Sequence, residues 1–121
     1  MPKVSIDNTK GLVQSSGGGL ALFGAIQSLT AAGSGSQPAI KKETSLALCT
    51  STNNAHIVDL PAIADVDLGH TILIASVGAA DVVINTPSTE TINGAATITT
   101  GEATAVLCVK ATASTWVAVI A

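Results

Sequence analysis

His56 and His70 are the only imidazoles in this 121-residue chain, and Asp59, Asp65 and Asp67 are the carboxylates closest to them in sequence. A hydrolytic centre needs a nucleophile beside a base, with a third group orienting that base. His56 and Asp59 stand three residues apart on one expected strand, so they point to opposite faces of it. His70 follows Gly69 at the start of another. Both histidines therefore read as polar residues beside turns. As metal ligands the same residues lack a diagnostic spacing, and "DVD" is too short for a calcium loop. In an assembly with threefold symmetry, one histidine per subunit would meet its copies on the axis and hold a metal or an anion. A solvated histidine is the simpler reading.

The other reactive side chains fare no better. Cys49 and Cys108 each lie inside an apolar run, "SLALCTS" and "TAVLCVK", where a thiol behaves as a small hydrophobe. One pair is no disulfide framework, although a bond between the two stays open, and no Cys-x-x-Cys spacing exists. "SSGGG" shares only its glycines with a phosphate loop, lacking the Lys-Ser/Thr ending and a preceding buried strand. Trp116 offers a ring for stacking on sugars, but it sits in the apolar run "STWVAVI" and reads as a packing residue. The expectation is a protein that is not an enzyme, with no cofactor, no metal and no small-molecule substrate.

The elements that would position these residues are short and β-like. From residue 40 onward, strands are expected at 45–50, 56–60, 71–77, 81–85, 97–99, 103–110 and 115–120. "STNNA", "PAIADVDLG", "GAAD", "TPSTE", Asn93-Gly94 and Gly101-Glu102 punctuate them. Asn-Gly is the signature of a two-residue hairpin turn, which needs positive φ at both central positions. Turn spacing of this kind predicts an all-β fold, a compact antiparallel β-sandwich, barrel or prism. The segment 20–36 fits two alternatives. Leu22, Ile26 and Leu29 have helical spacing, while "AIQSLTA" closed by "GSGSQP" fits a buried strand. Residues 1–19, "MPKVSIDNTKGLVQSSGGG", form a separate arm with extended pieces at 4–6 and 12–14 and a glycine hinge. The organisation expected is thus an arm, 1–19, and an oligomerising β module, 20–121.

Composition narrows the partners. The chain has 47% hydrophobic residues but only 11% charged and 2% aromatic, against about 25% charged in an average domain. Much of its surface must then be Thr, Ser, Ala and aliphatic, and contiguous surface of that kind usually belongs to an interface. Five lysines, no arginine and a formal charge of −3 give no basic footprint for nucleic acid. The run "GLALFGAIQSLTAAG" is too short to span a bilayer, and "QSSGGG" separates it from any basic start, so neither a membrane anchor nor a secretory leader is expected. Strands such as "TILIAS", "DVVIN", "TAVLCV" and "WVAVI" are apolar on both faces, where a sheet with one wet face alternates. Ile72, Ile74, Val83, Leu107, Val109 and Trp116 are accordingly expected at a subunit interface.

The order of these pieces resembles a known group. "SLTAAG…TSLALCTSTNNAHIVDLP" leads into "LGHTILIASVGAADVVINTPSTETINGAATITT" and then "GEATAVLCVKATASTWVAVIA". A Leu-Pro after a strand, a Gly-x-x-x-x-Ile strand, a Gly-Ala hairpin, "TINGAAT" and a closing Trp strand resemble small β-rich modules of tailed-bacteriophage particles. Such modules occur in capsid decoration (cement) proteins, head fibres and tail fibres. The resemblance covers about residues 28–121 and rests on structural punctuation rather than chemistry. It implies a virion structural protein, commonly a homotrimer, made in the host cytoplasm and placed on the capsid surface.

A single short module with an arm, and no repeat array or coiled-coil shaft, fits a knob on a capsid better than a fibre. The function expected is capsid decoration, with the major capsid protein as partner and Val4, Ile6, Leu12 and Val13 as docking anchors in the arm. The alternatives are a head-fibre, tail-fibre or baseplate module contacting a host surface, and a glycan-binding module with Trp116 as its platform.

Overall fold

The computed structural model describes residues 3–7, 11–16 and 25–120, with side chains from residue 25 onward. The fold is all-β, without α-helices among the described residues. The described residues form eleven strands, numbered in chain order. They are β1 (Lys3–Asp7), β2 (Gly11–Ser16), β3 (Ala25–Thr30), β4 (Thr44–Thr50), β5 (Ile57–Asp59), β6 (Thr71–Ser76), β7 (Val82–Asn85), β8 (Thr91–Ile92), β9 (Thr97–Thr100), β10 (Ala105–Lys110) and β11 (Thr115–Ile120). A 3₁₀ turn, Ile63–Asp65, lies between β5 and β6.

In the arm, β1 and β2 pair with each other as an antiparallel ladder with Ile6 opposite Leu12. The side chains of the expected anchors Val4, Ile6, Leu12 and Val13 lie outside the described residues. Of the two alternatives for 20–36, the described residues take the strand, Ala25–Thr30, but as a mostly exposed edge strand and not the buried one expected. Period-two geometry turns Leu29 into the core, while Ile26 is 67% exposed.

The sheets stack in a solenoid-like manner, which replaces the sandwich or barrel expected from the turn spacing. A six-stranded sheet has the order β3-β4-β6-β10-β11-β8, and a three-stranded sheet the order β5-β7-β9. The chain passes from β4 in the large sheet to β5 in the small one, then back to β6 and across to β7. β6 lies parallel to β4, and β7 parallel to β5, so each circuit stacks on the previous one. β3 is parallel to β4 and begins the stack, with Ala32 and Ala39 bridging to β5. Antiparallel β9 and β10 then close it against β7 and β6. The segments "STNNA" and "PAIADVDLG" are corners between sheets, not hairpin turns, and this is why an antiparallel reading failed there.

Stacked corners demand close backbone approach. A Cβ on Gly78 would lie 2.8 Å from the Ser51 backbone nitrogen, in the corner one circuit earlier. The expected Asn93-Gly94 turn is present, with φ of 51° and 82° and Ile92 and Ala95 exchanging backbone hydrogen bonds. Asn93 adds a further device. Its Nδ2 donates to Ala118 O and its Oδ1 accepts from Ala118 N–H, both at 2.9 Å. One side-chain amide thus continues the ladder where β8, two residues long, runs out beside β11.

The core fills the space between the sheets. Ile72, Ile74, Val106, Cys108 and Trp116 descend from the large sheet, and Val58, Val82 and Ile84 rise from the small one. Cys49 and Cys108 are both buried and free. They stand on β4 and β10 with β6 between them, and two strand spacings, about 9.6 Å, exceed the Cα reach of a disulfide. Burial pushes the Cys49 thiol up to about 11 and the Cys108 thiol up to about 12.

Candidate functional site

The residues with reactive side chains are not gathered into one site. His56 stands just before β5, where its carbonyl accepts from Val83 N–H, beside the small sheet. His70 stands just before β6 in the large sheet, its N–H donating to Asp67 O and its carbonyl accepting from Lys110 N–H. His56 Nδ1 and His70 Nε2 are buried without hydrogen-bond partners. Asp59 is occupied by Asn85, whose Nδ2 donates to Asp59 Oδ1 at 2.8 Å across the β5–β7 pair. Among the described residues no three His, Cys, Asp or Glu side chains converge as metal ligands. An open cavity of about 410 Å³ is lined by residues 39–43 with Asp59, Asp65 and Pro87. It mixes Lys41 and Lys42 with three carboxylates and holds no nucleophile.

Two charged residues are buried for structural reasons. Lys110 Nζ donates to the carbonyls of Ile63 and Val66, each at 2.7 Å. From the other side, Glu90 Oε1 accepts from Ile63 N–H at 3.4 Å. Together they pin the 3₁₀ turn against the end of β10. This pair escaped the sequence reading, although its signal was there, because Lys110 continues the inward register of Val106 and Cys108.

Of the six residues expected at a subunit interface, Ile72, Ile74 and Trp116 are at most 1% exposed. They pack inside their own chain, because alternation in β6 and β11 turns them toward the small sheet. Val83 is half-buried on β7, in the small sheet. Leu107 and Val109 face outward from the large sheet, Leu107 exposed and Val109 half-buried.

That outward face is the most distinctive surface of the molecule. Strand register places Ile26, Leu46, Leu73, Leu107 and Val119 in one continuous row across β3, β4, β6, β10 and β11. Leu73 is 40% exposed and Val119 63%, so the row is open to solvent on its own chain. Beside it Val109 lies opposite Val117, and Leu48 opposite Ala75. The remaining outward positions on these five strands are Ala, Ser and Thr. Not one is charged. Of the charged residues between 25 and 120, Lys110 alone falls on a strand of this sheet, and it points inward. β3 forms one edge of the sheet.

Comparison with known proteins adds no relative: no protein-family model, no curated protein and no solved structure matches the chain.

Proposed function

We propose that the protein is a virion structural protein, a capsid decoration (cement) protein that binds the outer surface of a phage head as a homotrimer and stabilises the shell. The observation that carries this reading is the uncharged, aliphatic outer face of the large sheet. A surface of that chemistry suits assembly and offers nothing to a substrate in need of acid, base or metal. The sequence resemblance supplies the phage context. Trp116 is 1% exposed, which removes the ring that the glycan-binding alternative requires and leaves decoration as the better reading.

The mechanism is physical. Three β modules associate, and their arms reach to neighbouring major capsid protein subunits, where the strands of residues 1–19 add to exposed sheet edges with Val4, Ile6, Leu12 and Val13 as anchors. Each arm binds weakly, but linkage in one trimer gives avidity far above that of one arm. Bridged subunits then resist separation as the head fills. Removing residues 1–19 is expected to leave a folded trimer that no longer cosediments with capsids. An arm-less trimer that bound particles as well as the intact protein would sink the mechanism.

A further inference from the structure

We infer that the outer face of the six-stranded sheet is the subunit interface of the trimer, turned toward the threefold axis so that it packs against the same sheet of neighbouring copies, with Leu73 near its centre. The inference rests on the assembly reading above and assigns the contact to a defined surface. Three features select a second copy as occupant.

The first is shape and register. Ile26, Leu46, Leu73, Leu107 and Val119 form one continuous row, and such rows on adjacent copies interdigitate as the side chains of packed sheets do. The second is charge. What normally rejects a like copy is repulsion between identical charged groups brought face to face. Every charged residue described from 25 to 120 lies in a loop, on the small sheet or, as Lys110, inside the core. The face therefore carries nothing that repels its own image, although the chain as a whole is at −3. The third is area. Five strands at about 4.8 Å spacing and roughly 20 Å long make a face of about 480 Å². Covering that face on each of three copies buries on the order of 1,000 Å² for each pair of neighbours, about the least area a specific interface needs. A face of this size and composition left in water would be an aggregation hazard, more so beside the parallel edge of β3.

The test uses the full-length chain and two variants. Leu73→Asp places a carboxylate at the centre of the face without touching the core, and its native mass is read beside that of the unaltered protein. Leu73→Cys places a thiol at the same point, to be joined by a short bis-maleimide. Cys49 and Cys108 are buried with raised pKa values and stay silent in that reaction. The expected results are an oligomeric unaltered protein, a folded monomer for Leu73→Asp, and a covalent dimer for Leu73→Cys. Should Leu73→Asp fail to fold, the crosslink alone decides. An oligomer whose new thiol reacts freely but never crosslinks would overturn the assignment while leaving the assembly reading intact. A monomeric protein with a freely reactive thiol would remove both. A monomer in which that thiol is as unreactive as Cys49 would mean that the chain's own N-terminal segment covers the face, and the proposal would fall.

Discussion

The two faces of the six-stranded sheet are built from the same strands and nearly the same residue types, yet they have opposite fates. On β6, Ile72 and Ile74 are fully buried while Leu73 between them is 40% exposed. On β10, Val106 and Cys108 are fully buried while Leu107 is 39% exposed. Hydrophobicity alone does not say which face becomes core. What decides is the side on which β5, β7 and β9 fold back, and the other face is left uncovered by any of these strands. In a solenoid-like stack, one layer receives its cover from each passing circuit, and the opposite layer gets none.

That contrast is tested most sharply by matched truncations. Ile74→Ala removes buried volume and is expected to cost about 2–5 kcal/mol, read as a lower denaturation midpoint. Leu73→Ala, one residue away, is expected to cost under about 1 kcal/mol in the dissociated chain. Equal losses in dilute protein would mean that the outer face is covered within one chain.

A pH titration addresses the inner face alone. The folded thiols of Cys49 and Cys108 ionise only at about 11 and about 12, against an ordinary value of 9.0. Between 9 and those values the unfolded chain has lost protons that the folded chain still holds, so stability falls as pH rises past about 9. Cys49→Ala combined with Cys108→Ala is expected to flatten that alkaline slope while lowering stability at neutral pH. An unchanged slope would place its origin elsewhere.

The smallest effect belongs to neither face and serves as a control. Ala103 has φ of +55° in the turn between β9 and β10, a region where a Cβ costs roughly 1 kcal/mol. Ala103→Gly is expected to raise the thermal midpoint slightly and to leave native mass unchanged.

The strands themselves were largely legible. β11 begins and ends where the pattern 115–120 placed it, and Asn93-Gly94 turned as its chemistry requires. Three things were hidden, each for a physical reason. Parallel stacking was hidden because a corner such as "STNNA" uses the same small polar residues as a hairpin turn. The direction of Ile72, Ile74 and Trp116 was hidden because a strand apolar on both faces carries no alternation to orient it. β8 was hidden because two residues make no periodicity, and its place beside β11 is held by backbone bonds from Thr91 and Asn93 and by the Asn93 amide on Ala118, none of which a pattern shows.

That same Asn93 bears on how the molecule ages. An asparagine followed by glycine readily loses ammonia, since the glycine nitrogen meets little obstruction in attacking the side-chain carbonyl carbon. Here both polar atoms of the amide are held by Ala118, so those two hydrogen bonds must break before the side chain is free to turn toward the Gly94 nitrogen. A carboxylate in its place would set a negative oxygen against the Ala118 carbonyl and loosen the end of β11. The fold shelters its most perishable dipeptide by giving it a structural task, so the slow chemistry of storage proceeds only as fast as β8 lets go.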